Sequence, residues 1–246
     1  MWRVIGLEAR TGAENMAVDE AIAAGIAAGT SPPTIRFYTW SPSAVTVGYF
    51  QCLHDEVNTE ACAMKGIDVV RRRTGGGAVY HDRQGEITYS VIAPESCFSK
   101  DIRVSYREIC NWIIGGLAIL DISAEFRPIN DVTVAGRKIS GNAQTRRQGV
   151  LTQHGTILYA LDRDTMFSLL RPSTKKLLDK PVDSFKASVT CASDEGCESI
   201  DRLYEALFTG FTKEKQWKPG RLSDLENTAV AILSEKYMSR CWNESR

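Results

Sequence analysis

Between Val69 and Asp82 the chain reads VVRRRTGGGAVYHD, and three arginines, a threonine and three glycines in a row suit chemistry better than packing. Glycines let backbone N–H groups turn inward and let a ligand approach the main chain, and neighbouring arginines add charge for a phosphate or carboxylate. The stretch fits an anion cradle; a glycine cluster also reads as a plain tight turn. It is not a P-loop, because no Gly-Lys-Ser/Thr follows. Nor is it a dinucleotide fingerprint, because Tyr80 stands where a third spaced glycine is needed.

A second group sits in NDVTVAGRKISGNAQ, where Lys138 follows a turn at Ala135-Gly136. A lysine there reaches over a sheet surface and can neutralise charge developing on a phosphate, or it is a solvated turn residue. Asn130 and Asp131 open the same hairpin and can cap a turn or hold a magnesium ion. His154 lies within the alternating VLTQHGTILY, as a hydrogen-bonded core histidine or a ligand contact, and Gly155 beside it suits close approach. No G-x-S-x-G occurs, and no cysteine flanks Lys138 or His154. Seven scattered cysteines without a C-x-x-C pair read as reduced thiols. His54, His81 and His154 lie too far apart in sequence to suggest a structural zinc site.

These residues need elements to position them. Alanine-rich helical spacing runs from Glu14 to Gly29 and stops at Ser31-Pro32-Pro33. TIRFY and AVTVGYF, parted by WSPS, read as a hairpin; Asp55 to Lys65 reads as a helix, and IDVV as the strand that leads into the arginines. AVYH and EITYSVIA read as strands, VSYREICNWIIGGLAIL as a buried helix, and Ala124 to Leu161 as a β-meander. Arg171 to Ser199 reads as a long loop, and two surface helices, IDRLYEALFTGF and RLSDLENTAVAILSEKYM, follow it. With 246 residues and no repeat or linker, one α+β domain over 1–246 is the economical reading. Thirty basic residues balance thirty acidic ones, so nothing global attracts nucleic acid or an anionic membrane. No apolar run is long enough for a membrane span or export signal, which places the expected setting in the cytoplasm, without membrane or nucleic-acid partners.

Taken together, RRRTGGGAVYHD, NDVTVAGRKISGNAQTRRQGVLTQHGTIL and the C-terminal KYMSRCWN resemble the lipoate–protein ligase A family of the biotin and lipoate protein ligases, and RFYTWSPSAVTVGYFQ and DKPVDSFKASVT extend the likeness. The resemblance implies a mixed, largely antiparallel β-sheet flanked by helices, similar to the catalytic core of class II aminoacyl-tRNA synthetases and biotin ligases. It implies activation of lipoate or octanoate with ATP and Mg2+ to an acyl-adenylate, then transfer to a lysine of a lipoyl domain. The acceptors it implies are 2-oxoacid dehydrogenase E2 lipoyl domains or the glycine-cleavage H protein. In that likeness Arg72, Gly75, Gly76, Gly77, Ala78, Val79 and Tyr80 hold the nucleotide and Lys138 is catalytic. Trp40, Arg72, Thr74, His81, His154 and Thr156 hold the lipoyl group, Asp131 contacts Mg2+, and the loop after Arg171 is a candidate cover. The core alone, ending at Arg246, leads us to expect a separate accessory ligase subunit. Two other readings stand beside it. One is a transferase that moves an octanoyl or lipoyl group from a carrier protein through a cysteine thioester; the members of that group most similar to this chain carry the cysteine in an insertion before the Gly-Arg-Lys hairpin, where AEFRPINDVTVAGRK has none. The other is a non-catalytic lipoate or lipoyl-domain binding module.

Overall fold

A computed structural model describes residues 1–171 and 188–246. In chain order the elements are β1 (Trp2–Arg10), α1 (Gly12–Ala27), β2 (Thr34–Trp40), β3 (Ala44–Val47), α2 (Leu53–Glu56), α3 (Thr59–Met64), β4 (Asp68–Arg71), β5 (Val79–His81) and β6 (Glu86–Pro94). Next come α4 (Ile102–Ala118), β7 (Ala124–Arg127), β8 (Asp131–Val134), β9 (Arg137–Arg147), β10 (Val150–Leu158), α5 (Arg163–Leu169), α6 (Ile200–Thr212), β11 (Trp217–Pro219), α7 (Asp224–Met238) and α8 (Arg240–Asn243).

Local chemistry sets the helix starts. Thr11 caps α1 in a capping box with Glu14, and Ser223 caps α7 in the same way with Glu226, so orphan N–H groups at both ends are satisfied. Asp101 accepts from the Arg103 and Val104 N–H groups to open α4. The strands form an eight-stranded sheet in the order β11-β1-β2-β6-β10-β9-β8-β7 and a three-stranded sheet in the order β4-β3-β5. In the large sheet only the β11–β1–β2 edge is parallel, and β7 to β10 form the expected antiparallel meander. The mixed, largely antiparallel sheet flanked by helices is therefore present.

Period-two alternation splits the strands β1, β2, β6 and β10 between two cores. On one face Ile35, Phe37, Ile87, Tyr89, Val91, Leu151 and Ile157 pack with α4 and α6. On the other, Tyr38, Trp40, Ile92 and Val150 pack with α1 and α7. The small sheet has its own cluster, Val45, Val47, Leu53, Cys62 and Tyr80.

Three local expectations need correction. TIRFY and AVTV do not pair with each other: β2 joins the large sheet and β3 the small one, so the Ser41–Ser43 turn passes between sheets. The helix expected over Asp55 to Lys65 is two short pieces, parted where Val57 turns extended and bridges to Leu170 and Asn58 caps α3. The first helix begins at Gly12 and ends at Ala27. Most of the proposed covering loop, residues 172–187, lies outside the described residues.

Candidate active site

The two sheets face each other across a cavity of about 220 Å³. From the large sheet come Tyr38, Trp40, Thr88, His154 and Thr156; from the small sheet and its glycine loop come Thr46, Arg72, Gly76, Gly77, Ala78, Val79 and His81. Met16 of α1 closes one side, and Asn130, Lys138, Gly141 and Asn142 close another. A second cavity of about 210 Å³, with Asp19, Glu20, Arg73, Thr74 and Arg147 in its lining, shares Met16 and His154 with the first.

Arg72 organises the wall between them. All five of its N–H groups are used: Nε donates to Thr74 Oγ1 at 3.2 Å, one amino group to the Thr46 carbonyl and hydroxyl, the other to the Gly75 and Gly77 carbonyls at 2.7 Å each. The guanidinium staples the glycine loop to the small sheet. Its acceptors are neutral, and among the described residues no carboxylate pairs with it, so its charge projects into the cavity. Burial pushes its pKa down to about 10, which leaves it protonated at neutral pH.

Two parallel chains lead away from Arg72. In one, Thr46 Oγ1 lies 3.0 Å from His81 Nε2, and His81 Nδ1 lies 2.6 Å from Glu86. In the other, Thr74 Oγ1 lies 2.7 Å from His154 Nε2, and His154 Nδ1 lies 3.5 Å from Asp19. Burial lowers the His154 pKa, with Arg72 and His81 adding repulsion against the pull of Asp19, so its ring is neutral near pH 7. A carboxylate only accepts, so Nδ1–H points to Asp19 and Nε2 accepts from the Thr74 hydroxyl. Burial alone would raise Asp19, but His154, Arg36 and Ser90 outweigh it and hold its pKa low. His81 stacks on Trp40 with centroids 4.1 Å apart, and the indole N–H of Trp40 donates to Glu86 and Thr88. Both histidines are thus fixed by their nitrogens and line the cavity as ring walls.

Lys138 is half-buried, with Nζ 2.7 Å from Asp131 Oδ1, while the other Asp131 oxygen accepts from Arg127. Main-chain bonds from Lys138 N–H to the Ser188 carbonyl and from Thr190 N–H to the Lys138 carbonyl hold the turn.

The structure therefore gathers Trp40, Arg72, Gly76, Gly77, Ala78, Val79, His81, Lys138, His154 and Thr156 at one cavity, and Thr74 behind it. Tyr80 is not among them: alternation in β5 sends Val79 inward and Tyr80 into the Val45–Val47–Leu53 cluster, where its hydroxyl donates to Asp82. Gly75 contributes a carbonyl to Arg72 and does not line the cavity. Asp131, expected at magnesium, already holds Lys138 and Arg127. Sequence reasoning missed Tyr38, Thr46, Thr88, Glu86 and Asp19. Alternation along TIRFYTW and EITYSV puts Tyr38, Glu86 and Thr88 on Trp40's face, a usable signal; Asp19, on a buried helix face, carries none.

Residues 11–212 match the family described as the lipoyl protein ligase A/B catalytic domain. The octanoyltransferase LipM of Clostridioides difficile is 34% identical over 275 aligned positions, covering 100% of this chain and 99% of the relative. That of Kyrpidia tusciae is 36% identical and covers 98% of both chains. Among solved structures, the bi-partite lipoate protein ligase of Thermoplasma acidophilum, determined in a study with its E2 lipoyl domain, superposes with a TM-score of 0.87 at 31% identity, covering 98% of this chain and 95% of that one.

These relatives correct the expected activity. Proteins similar from end to end are named octanoyltransferases, so the ATP-dependent, adenylate-forming ligase reading is overturned. The expected cofactors ATP and Mg2+ go with it. The physical reason is that an acyl thioester is already activated, and its transfer to an amine needs no nucleotide.

Proposed function

The chain belongs to the lipoyl protein ligase A/B catalytic-domain family, and on that premise we propose that it is an octanoyltransferase that moves a medium-chain acyl group from a carrier thioester to the lysine of a lipoyl domain. The observation that carries this reading is the end-to-end similarity to octanoyltransferases, joined to a cavity that combines an apolar sleeve with fixed positive charge. At about 220 Å³ the cavity is smaller than the ~300 Å³ at which drug-sized sites begin, which suits a short acyl chain. The T. acidophilum study pairs a related fold with an E2 lipoyl domain, which supports a lipoyl domain, of a 2-oxoacid dehydrogenase or of an H protein, as acceptor. The whole unit, 1–246, acts as one catalytic domain in this reading, and seven unpaired thiols suit a reducing, cytoplasmic setting. Among the described residues no helix is long and apolar enough to cross a membrane.

The residues take these roles. Met16, Tyr38, Trp40, Val79 and the His81 face pack the acyl chain, with Thr156 and His154 beside it. Lys138, released from Asp131 when the donor enters, stabilises the oxyanion that forms as the carbonyl is attacked. Arg72 adds fixed positive charge through space and holds Gly76–Val79 at the height the carbonyl needs. Thr74 positions His154.

The test is to incubate the purified chain with an octanoyl carrier protein and a lipoyl domain, without nucleotide, and follow the acceptor by mass. Octanoylated acceptor without ATP is expected. Product that appears only with ATP and is accompanied by AMP would overturn the reading.

A further inference from the structure

Resting on the octanoyltransferase reading for its effect on catalysis, we propose that Arg71 is a positioning residue through which the C-terminal helix α8 sets the height of the glycine loop, and with it the affinity for the acyl donor. Of the three adjacent arginines, Arg72 lines the first cavity and Arg73 pairs with Glu20 at 3.2 Å, while Arg71 lines neither of the two cavities. Arg71 is fully buried, yet among the described residues no carboxylate pairs with it. Its guanidinium binds carbonyls on two segments far apart in the chain. One amino group donates to Gly48, Tyr49 and Gln51 at 2.9, 3.3 and 2.7 Å. Nε donates to Trp242 and Asn243 at 3.2 Å each, and the other amino group donates to Asn243 at 2.8 Å. A planar fork of N–H groups can hold both segments at once, which the point charge of a lysine does not do.

The backbone of Arg71 is held from the same side. β4 is an edge of the small sheet, where a strand leaves N–H and C=O groups without a partner strand. Side chains of α8 supply the partners: the Arg71 N–H donates to Asn243 Oδ1 at 2.8 Å, and the Trp242 indole N–H donates to the Arg71 carbonyl at 2.8 Å. Asn243 is itself fixed, because its Nδ2 donates to the Tyr237 carbonyl near the end of α7. Two side chains thus take the place of a neighbouring strand at one residue.

The grip reaches the cavity through the turn at 48–51. The Gln51 side chain accepts from the Gly48 N–H, and the Tyr49 N–H donates to the Thr74 carbonyl at 2.9 Å. Gly48 lies so close to Gly76 that a Cβ there would be 2.1 Å from the Gly76 carbonyl oxygen. Thr74 in turn meets His154, and Gly76 lines the cavity. When α8 lets go of Arg71, the carbonyls of the turn lose the donors that gather them, and the glycine loop loses the shelf on which it rests.

Two substitutions loosen α8 without touching the cavity. Asn243→Ala removes the acceptor for the Arg71 N–H, and Trp242→Phe removes the indole N–H while keeping a ring against Tyr237. Asp101→Ala, which removes the cap of α4 on the far face of the large sheet, is the control for lost stability alone. Each full-length variant is followed by thermal melts, by hydrogen exchange across residues 74–79, and by steady-state transfer from octanoyl carrier protein to a lipoyl domain. Expected for both α8 variants are faster exchange across 74–79 and a donor KM raised about tenfold with kcat within about twofold, because a small displacement far from the chemistry weakens a positioned site. The Asp101 variant should lower the melting temperature and leave loop exchange and KM as in the native chain. Native loop exchange and KM in folded Asn243→Ala and Trp242→Phe, or equal changes in Asp101→Ala, would overturn the positioning role. Absence of octanoyl transfer by the native chain would remove the octanoyltransferase reading instead, and loop exchange alone would then decide whether α8 sets the loop.

Discussion

At the scale of single residues, Lys138 and His154 make opposite predictions. Lys138 is half-buried and contributes little to packing, so Lys138→Ala is expected to keep the melting temperature within a degree or two and to lower kcat by about 10²–10³-fold, the usual cost of losing one oxyanion partner. Steady-state rates with octanoyl carrier protein, beside a thermal melt, check both halves. His154 instead matters to stability, because its folded pKa lies below the ordinary histidine value. The unfolded chain then binds a proton before the folded one does, so stability present above pH 6.5 is lost as pH falls from there toward the folded value. His154→Gln, which can still bridge Thr74 and Asp19, should flatten the loss; denaturant midpoints at pH 7.5 and 5.5 for both proteins decide it. Lys138 and His154 were singled out by their motifs, and the structure brings both to one cavity. The partners of His154, Thr74 and Asp19, became apparent only once the strands and α1 were placed, because hydrogen bonds between residues 80 and 135 positions apart leave no mark on local sequence, whereas Asp131 stands in the same hairpin as Lys138.

At the scale of elements, the site depends on how closely the glycine loop approaches the end of β3. A Cβ on Gly48 would sit 2.1 Å from the Gly76 carbonyl oxygen, a backbone atom that cannot rotate aside. Gly48→Ala is therefore expected to push Gly76–Val79 off the Arg72 staple, raising KM for the octanoyl donor at least tenfold with a smaller effect on unfolding. Gly77→Ala, where a Cβ meets nothing within 4 Å, should leave KM within about threefold. Equal effects from the two variants would show that loop height does not matter. The glycine triplet advertised this loop in the sequence, yet Gly48, the residue that makes room for it, sat unremarked in a strand-like run. Tyr80 was misjudged for a related reason: a motif read as a string does not show that a strand sends neighbouring residues to opposite faces. The β2–β3 hairpin failed likewise, since a turn signal fixes a change of direction but not which sheet the next strand joins.

At the scale of the whole molecule, helices and meander followed from periodicity and the sheet class from the family resemblance, but the ties between distant parts followed from neither. The clearest is Arg3 on β1, which forms a two-pronged pair with Glu226 of α7 at 2.6 Å on each arm while Ser31 donates to the same carboxylate. This pair fixes the second helix layer over α1 and so holds the Met16 and Asp19 side of the site. Burial alone would raise the Glu226 pKa, but the Arg3 guanidinium, the Ser223 N–H and the Ser31 hydroxyl outweigh it and hold it at about 2. Because the folded value lies below the ordinary 4.5, this stabilisation is present above pH 4.5 and is lost as pH falls from there through about 2. Arg3→Met leaves a buried carboxylate unpaired, and breaking such a pair typically costs about 3–5 kcal/mol. The double variant Arg3→Met, Glu226→Leu removes both charges and should recover most of that loss at pH 7. Urea midpoints for the three proteins test the coupling; a double variant no more stable than Arg3→Met would mean that Glu226 holds α7 by its capping bonds to Ser223 and not through Arg3.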